Sequence, residues 1–232
     1  MCFFRYLPTL LLVFVLVGCA TTSAPEIESV RTWFIFLETG KKTPDDKEAV
    51  SKMQTGHIDN FKRLFGEKKL MAAGPLRDPS GFKRGIVVVR AATREEIDRY
   101  FQPDEYVREG YMTLNATPAI DRRPFNTEGI DSTGVVEGRI IQISRSATPL
   151  AADAEKAGTA FLQALLDQGT VGAWYHLDSG PLSDILFAAT KDTAMLEREL
   201  ASHPALKNKS STLAIWGQWL SKGVIPTRQG SQ

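Results

Sequence analysis

The sequence is short of cysteine, short of histidine and almost without net charge, and each shortage removes a class of function. Its two cysteines are Cys2 and Cys19, so nothing beyond position 19 can build a disulfide, a thiol nucleophile or a cysteine-ligated metal. Lysine and arginine number 28 against 27 aspartates and glutamates, which leaves no basic footprint for nucleic acid. The three histidines, His57, His176 and His203, do not fall at metal-ligand spacing, so no metal site is expected. Long apolar runs are missing too, apart from one at residues 7–17, which is shorter than the roughly 20 residues a spanning helix needs.

That run comes after Arg5, has the length of a signal-peptide core, and ends at Leu16-Val17-Gly18-Cys19. The tetrapeptide resembles the lipobox of bacterial lipoproteins, in which the cysteine thiol receives a diacylglyceryl group. The resemblance implies cleavage before Cys19, lipidation of Cys19 and attachment to a membrane outside the cytoplasm. Acyl chains contribute about 0.8 kcal/mol per buried methylene, so several on one residue hold firmly. Ala20 in the next position implies, by the same resemblance, sorting to the outer membrane, facing the periplasm, if the cell is Gram-negative. Residues 1–18 then form the signal peptide, and residues 19–30, with their Thr, Ser and Pro, read as a flexible tether. The chain beyond the tether is long enough for one large domain or two small ones.

In that stretch one pattern occurs twice. A strand-like run at 32–37 precedes a helix opening at Thr43-Pro44-Asp45-Asp46, with Thr43 as N-cap and Asp46 closing a capping box, and continuing to about Phe65. A short strand at 70–73 leads through turns at Gly74-Pro75 and Asp78-Pro79-Ser80-Gly81 to a strong strand at 85–89. A helix from Thr93 and a strand at 111–116 complete the order βαββαβ. Residues 121–136 carry turn formers without periodicity and read as a linker. The order then begins again: strand 139–144, helix 151–166, strands 170–175 and 185–189, helix 192–202 and strand 212–216. Landmarks recur about one hundred residues apart, Phe61 with Phe161 and Asp78 with Asp178, which points to an internal duplication.

A βαββαβ unit folds as a four-stranded antiparallel sheet with both helices on one face, and its bare face must be covered. The expectation is therefore α+β: two ferredoxin-like βαββαβ units, residues 31–120 and 137–222, packed sheet to sheet as an intrachain pseudo-dimeric α+β barrel. Residues 223–232 are left as a tail. Such a pseudo-dimer has no need of a second chain, so a monomer is expected.

On the first helix Val50, Met53, Phe61 and Leu64 form an apolar stripe, and His57 sits in its middle. An imidazole so placed is either a satisfied core residue or the lining of a cavity under the helix. The stretch from Trp33 to Pro118 carries further landmarks: Glu38-Thr39 at a strand end, His57, the run from Lys69 to Asp78 with its Gly-Pro, and Asp104-Glu105-Tyr106 before the last strand. Together these resemble the YCII-related domain family, although Glu105 stands where that family usually has proline. The resemblance implies a small α+β barrel of the dimeric kind, with a helix histidine and an aspartate lining a cleft beside the sheet. It also implies acid/base elimination or isomerisation of a small organic molecule, without metal or organic cofactor. His57 would then exchange the proton, and Asp104 or Asp78 would hold its other nitrogen.

Each aspartate has a plainer role as well: Asp78 lies in a strong turn signature, and Asp104 comes after Pro103 at a helix end. In the second copy Ala157 stands four residues before Phe161, where His57 stands before Phe61, and Pro204 takes the place of Asp104 at the hundred-residue offset. The second half thus reads as degenerate, with His176 and His203 in exposed structural roles and Trp174, Trp216 and Trp219 filling core or interface. Two functions remain open: proton-transfer catalysis in the first half, or a non-catalytic module binding a small ligand or an envelope protein.

Overall fold

The computed structural model describes residues 29–146, 148 and 150–227. The apolar leader, Cys19 and most of the tether lie outside them. In the first half the chain forms β1 (Arg31–Thr39), α1 (Lys47–Gly66), β2 (Leu70–Arg77), β3 (Lys83–Ala91), α2 (Arg94–Tyr100), the single turn α3 (Glu105–Arg108) and β4 (Met112–Arg123). The second half supplies β5 (Asp131–Ser144), α4 (Ala152–Gln168), β6 (Ala173–Leu177), β7 (Leu182–Ala188), α5 (Thr193–Leu200), the single turn α6 (Pro204–Lys207) and β8 (Leu213–Lys222). The fold is α+β, and its eight strands close into one barrel in the order β1-β3-β2-β8-β5-β7-β6-β4, every neighbouring pair antiparallel.

Strand β1 shows why the sheet closes. Its residues Trp33 to Leu37 are all buried, a continuous apolar run that needs cover on both faces. Phe34 and Phe36 point into the barrel with Ile86, Val88, Ile140, Ile185 and Phe187, whereas Trp33, Ile35 and Leu37 point outward under α1 and α2 with Leu64, Ile97 and Phe101. A third cluster, built on Ile141, Ile143, Leu162, Leu166, Trp174 and Leu196, lies outside the barrel under α4 and α5. Burying one such Ile, Leu or Phe is worth about 1.5–3 kcal/mol, so the inner core and the two outer layers each carry weight.

Several boundaries differ from the sequence reading, each for a local reason. The N-cap of α1 is Asp46, not Thr43, because the Asp46 carboxylate accepts the backbone N–H groups of Glu48 and Ala49. Gly74-Pro75 is not a turn but lies inside β2, where a Cβ on Gly74 would stand 2.0 Å from the carbonyl oxygen of Trp219 on β8. Glycine is what lets the two halves approach at this seam, and the ladder to β8 is taken up at Leu76 and Arg77. The supposed linker 121–136 is largely strand, since β4 runs to Arg123 and β5 starts at Asp131. The true connection is residues 124–130, and it inserts Phe125 into the barrel against Tyr175 and Phe187, with ring centroids 5.2 and 4.6 Å away. Beyond β8 the start of the tail is also fixed, with Val224 and Ile225 buried in the inner core.

Candidate functional site

Helix α1 turns His57 inward toward α3, whose N-cap is Asp104. The carboxylate of Asp104 does two things at once: Oδ1 accepts the backbone N–H of Tyr106, and Oδ2 lies 2.6 Å from His57 Nδ1. Asp104 is fully buried and His57 only 6% exposed. Phe61 and Tyr106 stand edge-on to the imidazole, with centroids 4.4 and 5.6 Å from it. A carboxylate on Nδ1 fixes the proton there and leaves Nε2 as the basic nitrogen, and among the described residues Nε2 has no hydrogen-bond partner. Asp78 is not part of this pair. Its Oδ1 accepts Ser80 N–H and its Oδ2 accepts the Ser80 hydroxyl and Lys83 N–H, so the turn signature prevails and the residue holds the β2–β3 corner.

The second half holds more than the hundred-residue offset suggested. The counterpart of Asp104 is His203, the N-cap of α6, and not Pro204, which is the first residue of that turn. On α4 it is Gly158, next to Ala157, that faces His203: a Cβ there would lie 3.1 Å from His203 Nε2. These residues fall one position to either side of the hundred-residue offset. Phe161 stands edge-on to His203 at 5.5 Å, as Phe61 does to His57. Here the imidazole is on the cap and the residue opposite it on the helix is glycine. His203 is not exposed, as its helix-end position suggested, but 5% exposed; burial pushes its pKa down, with the charge of Asp184 opposing.

His176 is likewise engaged. It faces Asp184 across the β6–β7 ladder, with its Nδ1 2.9 Å from Asp184 Oδ1, and Trp174 Nε1–H donates to that same oxygen at 2.8 Å. Burial pushes the Asp184 carboxyl up, but the hydrogen bonds from His176, Trp174 and Ser183 and the charge of His176 prevail and hold it below its ordinary range. These groups border a cavity of about 480 Å³ between α4 and the outer face of the sheet, lined also by Arg122, Arg145, Ser146 and Gly158. None of Arg122, Gly158 or Asp184 stood out in the sequence. The legible hint was the small residue at 158 on the same helix face as the apolar Phe161 and Leu162. Among the described residues no three His, Cys, Asp or Glu side chains gather as a metal site, and no helix is long and apolar enough to cross a membrane.

No protein-family model matches the chain, and no curated protein sequence is similar to it. The likeness to solved structures is in the closed barrel with helices outside. Chlorite dismutase from Candidatus Nitrospira defluvii, in complex with imidazole, superposes with a TM-score of 0.52 at 16% identity, over 82% of this chain and 90% of that one. A putative monooxygenase from Lactobacillus acidophilus NCFM gives a TM-score of 0.52 at 10% identity, over 84% of this chain and 98% of that one. One from Fusobacterium nucleatum gives 0.50 at 9% identity, over 87% and 99%. At these identities the likeness is one of fold.

Proposed function

We propose that this chain is a membrane-anchored extracytoplasmic lipoprotein whose N-terminal, YCII-like half performs cofactor-free acid/base chemistry on a small organic molecule. The observation that carries the reading is the 2.6 Å contact of His57 Nδ1 with a fully buried Asp104, which leaves Nε2 without a protein partner among the described residues. In an elimination, Nε2 takes a proton from substrate carbon, the freed electron pair becomes the new double bond, and the leaving group departs with its own pair. In an isomerisation the same nitrogen returns the proton at another atom. Asp104 stabilises the imidazolium in either case, a role worth having only if the cation forms. In this reading each half is a ferredoxin-like unit and the chain an intrachain pseudo-dimer that works as a monomer, which is supported by the strand order β4-β1-β3-β2 recurring in the same sense as β8-β5-β7-β6.

His57→Gln is expected to keep the fold, judged by circular dichroism, while turnover of a lactone, enol or halogenated-phenol substrate falls by at least about 10²-fold. A wild-type chain inert across that panel would remove the catalytic reading. The remaining one is a non-catalytic module that binds a small ligand or an envelope protein, and the near-enclosure of His57 favours it. Anchoring rests on the lipobox-like residues ending at Cys19, which lie outside the described structure. Cys19→Ser is expected to move the protein from the membrane fraction to the soluble one and to abolish labelling by radioactive palmitate. Retention of both in the variant would end the lipoprotein reading.

A further inference from the structure

We propose that the cavity under α4 is a binding site for a small organic carboxylate with an apolar body, seated by its anionic end on Arg122. The site is separate from the His57–Asp104 pair and stands whether or not that pair turns over a substrate.

The first observation is how Arg122 is placed. On β4, Asp121 pairs with Tyr175 and Arg123 with the adjacent Trp174, so Arg122 is the extra residue of a β-bulge. Bulges re-aim side chains, and this one turns the guanidinium over the outer face of Trp174, with Cζ 5.7 Å from the ring centroid at the cavity wall. Among the described residues Arg122 has no hydrogen bond and no carboxylate partner. The second arginine, Arg145, is tied by Nε to the Gly180 carbonyl and by Nη2 to those of Leu177 and Leu182, so it adds positive charge but is held by its own loop.

The second observation is what else faces the space. The carboxylate of Asp184 is spent on His176 and Trp174, and Glu155, the other acidic group on the lining, is exposed at the rim. Among the described residues Ser146 Oγ is buried with no partner, and His203 is buried with Nδ1 unpaired. Buried polar groups without partners cost about 1–3 kcal/mol each, and a ligand that bonds one of them recovers part of that. Trp174, Ile143, Leu150 and Leu162 supply an apolar wall. At about 480 Å³ the space falls in the range of small-ligand sites, and Gly158 on its lining adds no side chain to fill it. An unpaired cation at one end and an apolar wall along the other call for a monoanion with a hydrocarbon or aromatic body.

The test is calorimetric titration of the full chain with benzoate, hexanoate and the neutral benzamide. At least one of the two acids is expected to bind saturably below about 10 mM, at least about tenfold tighter than benzamide. Arg122→Gln is expected to lose at least about tenfold in affinity for that acid, Arg122→Lys to recover part of it, and His57→Gln to leave it unchanged. Arg122 is exposed on its bulge, so neither variant threatens the fold. Two results overturn the proposal: neither acid binding at 10 mM, or an acid binding equally well to wild type and Arg122→Gln.

Discussion

Asp104→Ala is expected to lower the free energy of unfolding by about 3–5 kcal/mol, the cost of removing one partner from a buried polar pair. Two losses combine. The α3 turn loses its cap, because Asp104 Oδ1 no longer receives Tyr106 N–H, and the cap alone is worth about 1 kcal/mol. The larger loss is at His57, whose Nδ1–H loses its acceptor between the rings of Phe61 and Tyr106. Asp104→Asn separates the two roles, since an amide oxygen can still accept one N–H while the charge is gone. Its destabilisation is expected to be no more than about half that of alanine. Urea denaturation reads both; an alanine variant with an unchanged midpoint would show that the pair does not hold α1 to α3.

Gly74→Ala is expected to be as severe, at about 4 kcal/mol or more, through strain rather than through a lost contact. The new methyl would sit 2.0 Å from the Trp219 carbonyl oxygen, and the obstacle is backbone, which cannot swing aside as a side chain can. Relief requires β2 and β8 to part where the halves join. Gly56→Ala, the same chemical change on α1 with nothing within 4 Å of the added carbon, is expected to act in the opposite sense and stabilise by up to about 1 kcal/mol. Thermal melting of the two variants compares them directly. An ordinary melt for Gly74→Ala would mean that the seam is looser than its geometry shows.

The elements that the sequence revealed are those whose signal is local. The helices read as opening at Thr93 and Asp192 do open there, where Thr93 accepts Glu96 N–H ahead of α2 and Asp192 accepts Met195 N–H ahead of α5. The stripe on α1 is where the periodicity put it, with Met53, His57 and Leu64 buried. The pairing of His57 with Asp104 was one of two alternatives, and only the fold decides between them, because the choice depends on where α3 sets down and not on any spacing along the chain. What stayed hidden depends on partners far away in sequence. Residues 121–123 and 131–136 look like loop because they are polar and rich in turn formers, yet they extend into strands by pairing with β6 and β8. Pro75 argues against a strand until β8 arrives at the seam. His203 falls one residue short of the hundred-residue offset from Asp104, so the imidazole on the cap, and the glycine opposite it at 158, could not be read from the residues in order.

The closed sheet also bears on the protein's behaviour in company. Among the described residues every strand has a neighbour on each side, so the sheet has no edge strand, the usual template for strand addition and fibril growth. Either half produced alone would surrender that protection, since cutting the chain between 123 and 131 would bare β2 and β4 in one fragment and β6 and β8 in the other. Any truncation that removes one half should therefore precipitate where the intact chain remains dispersed.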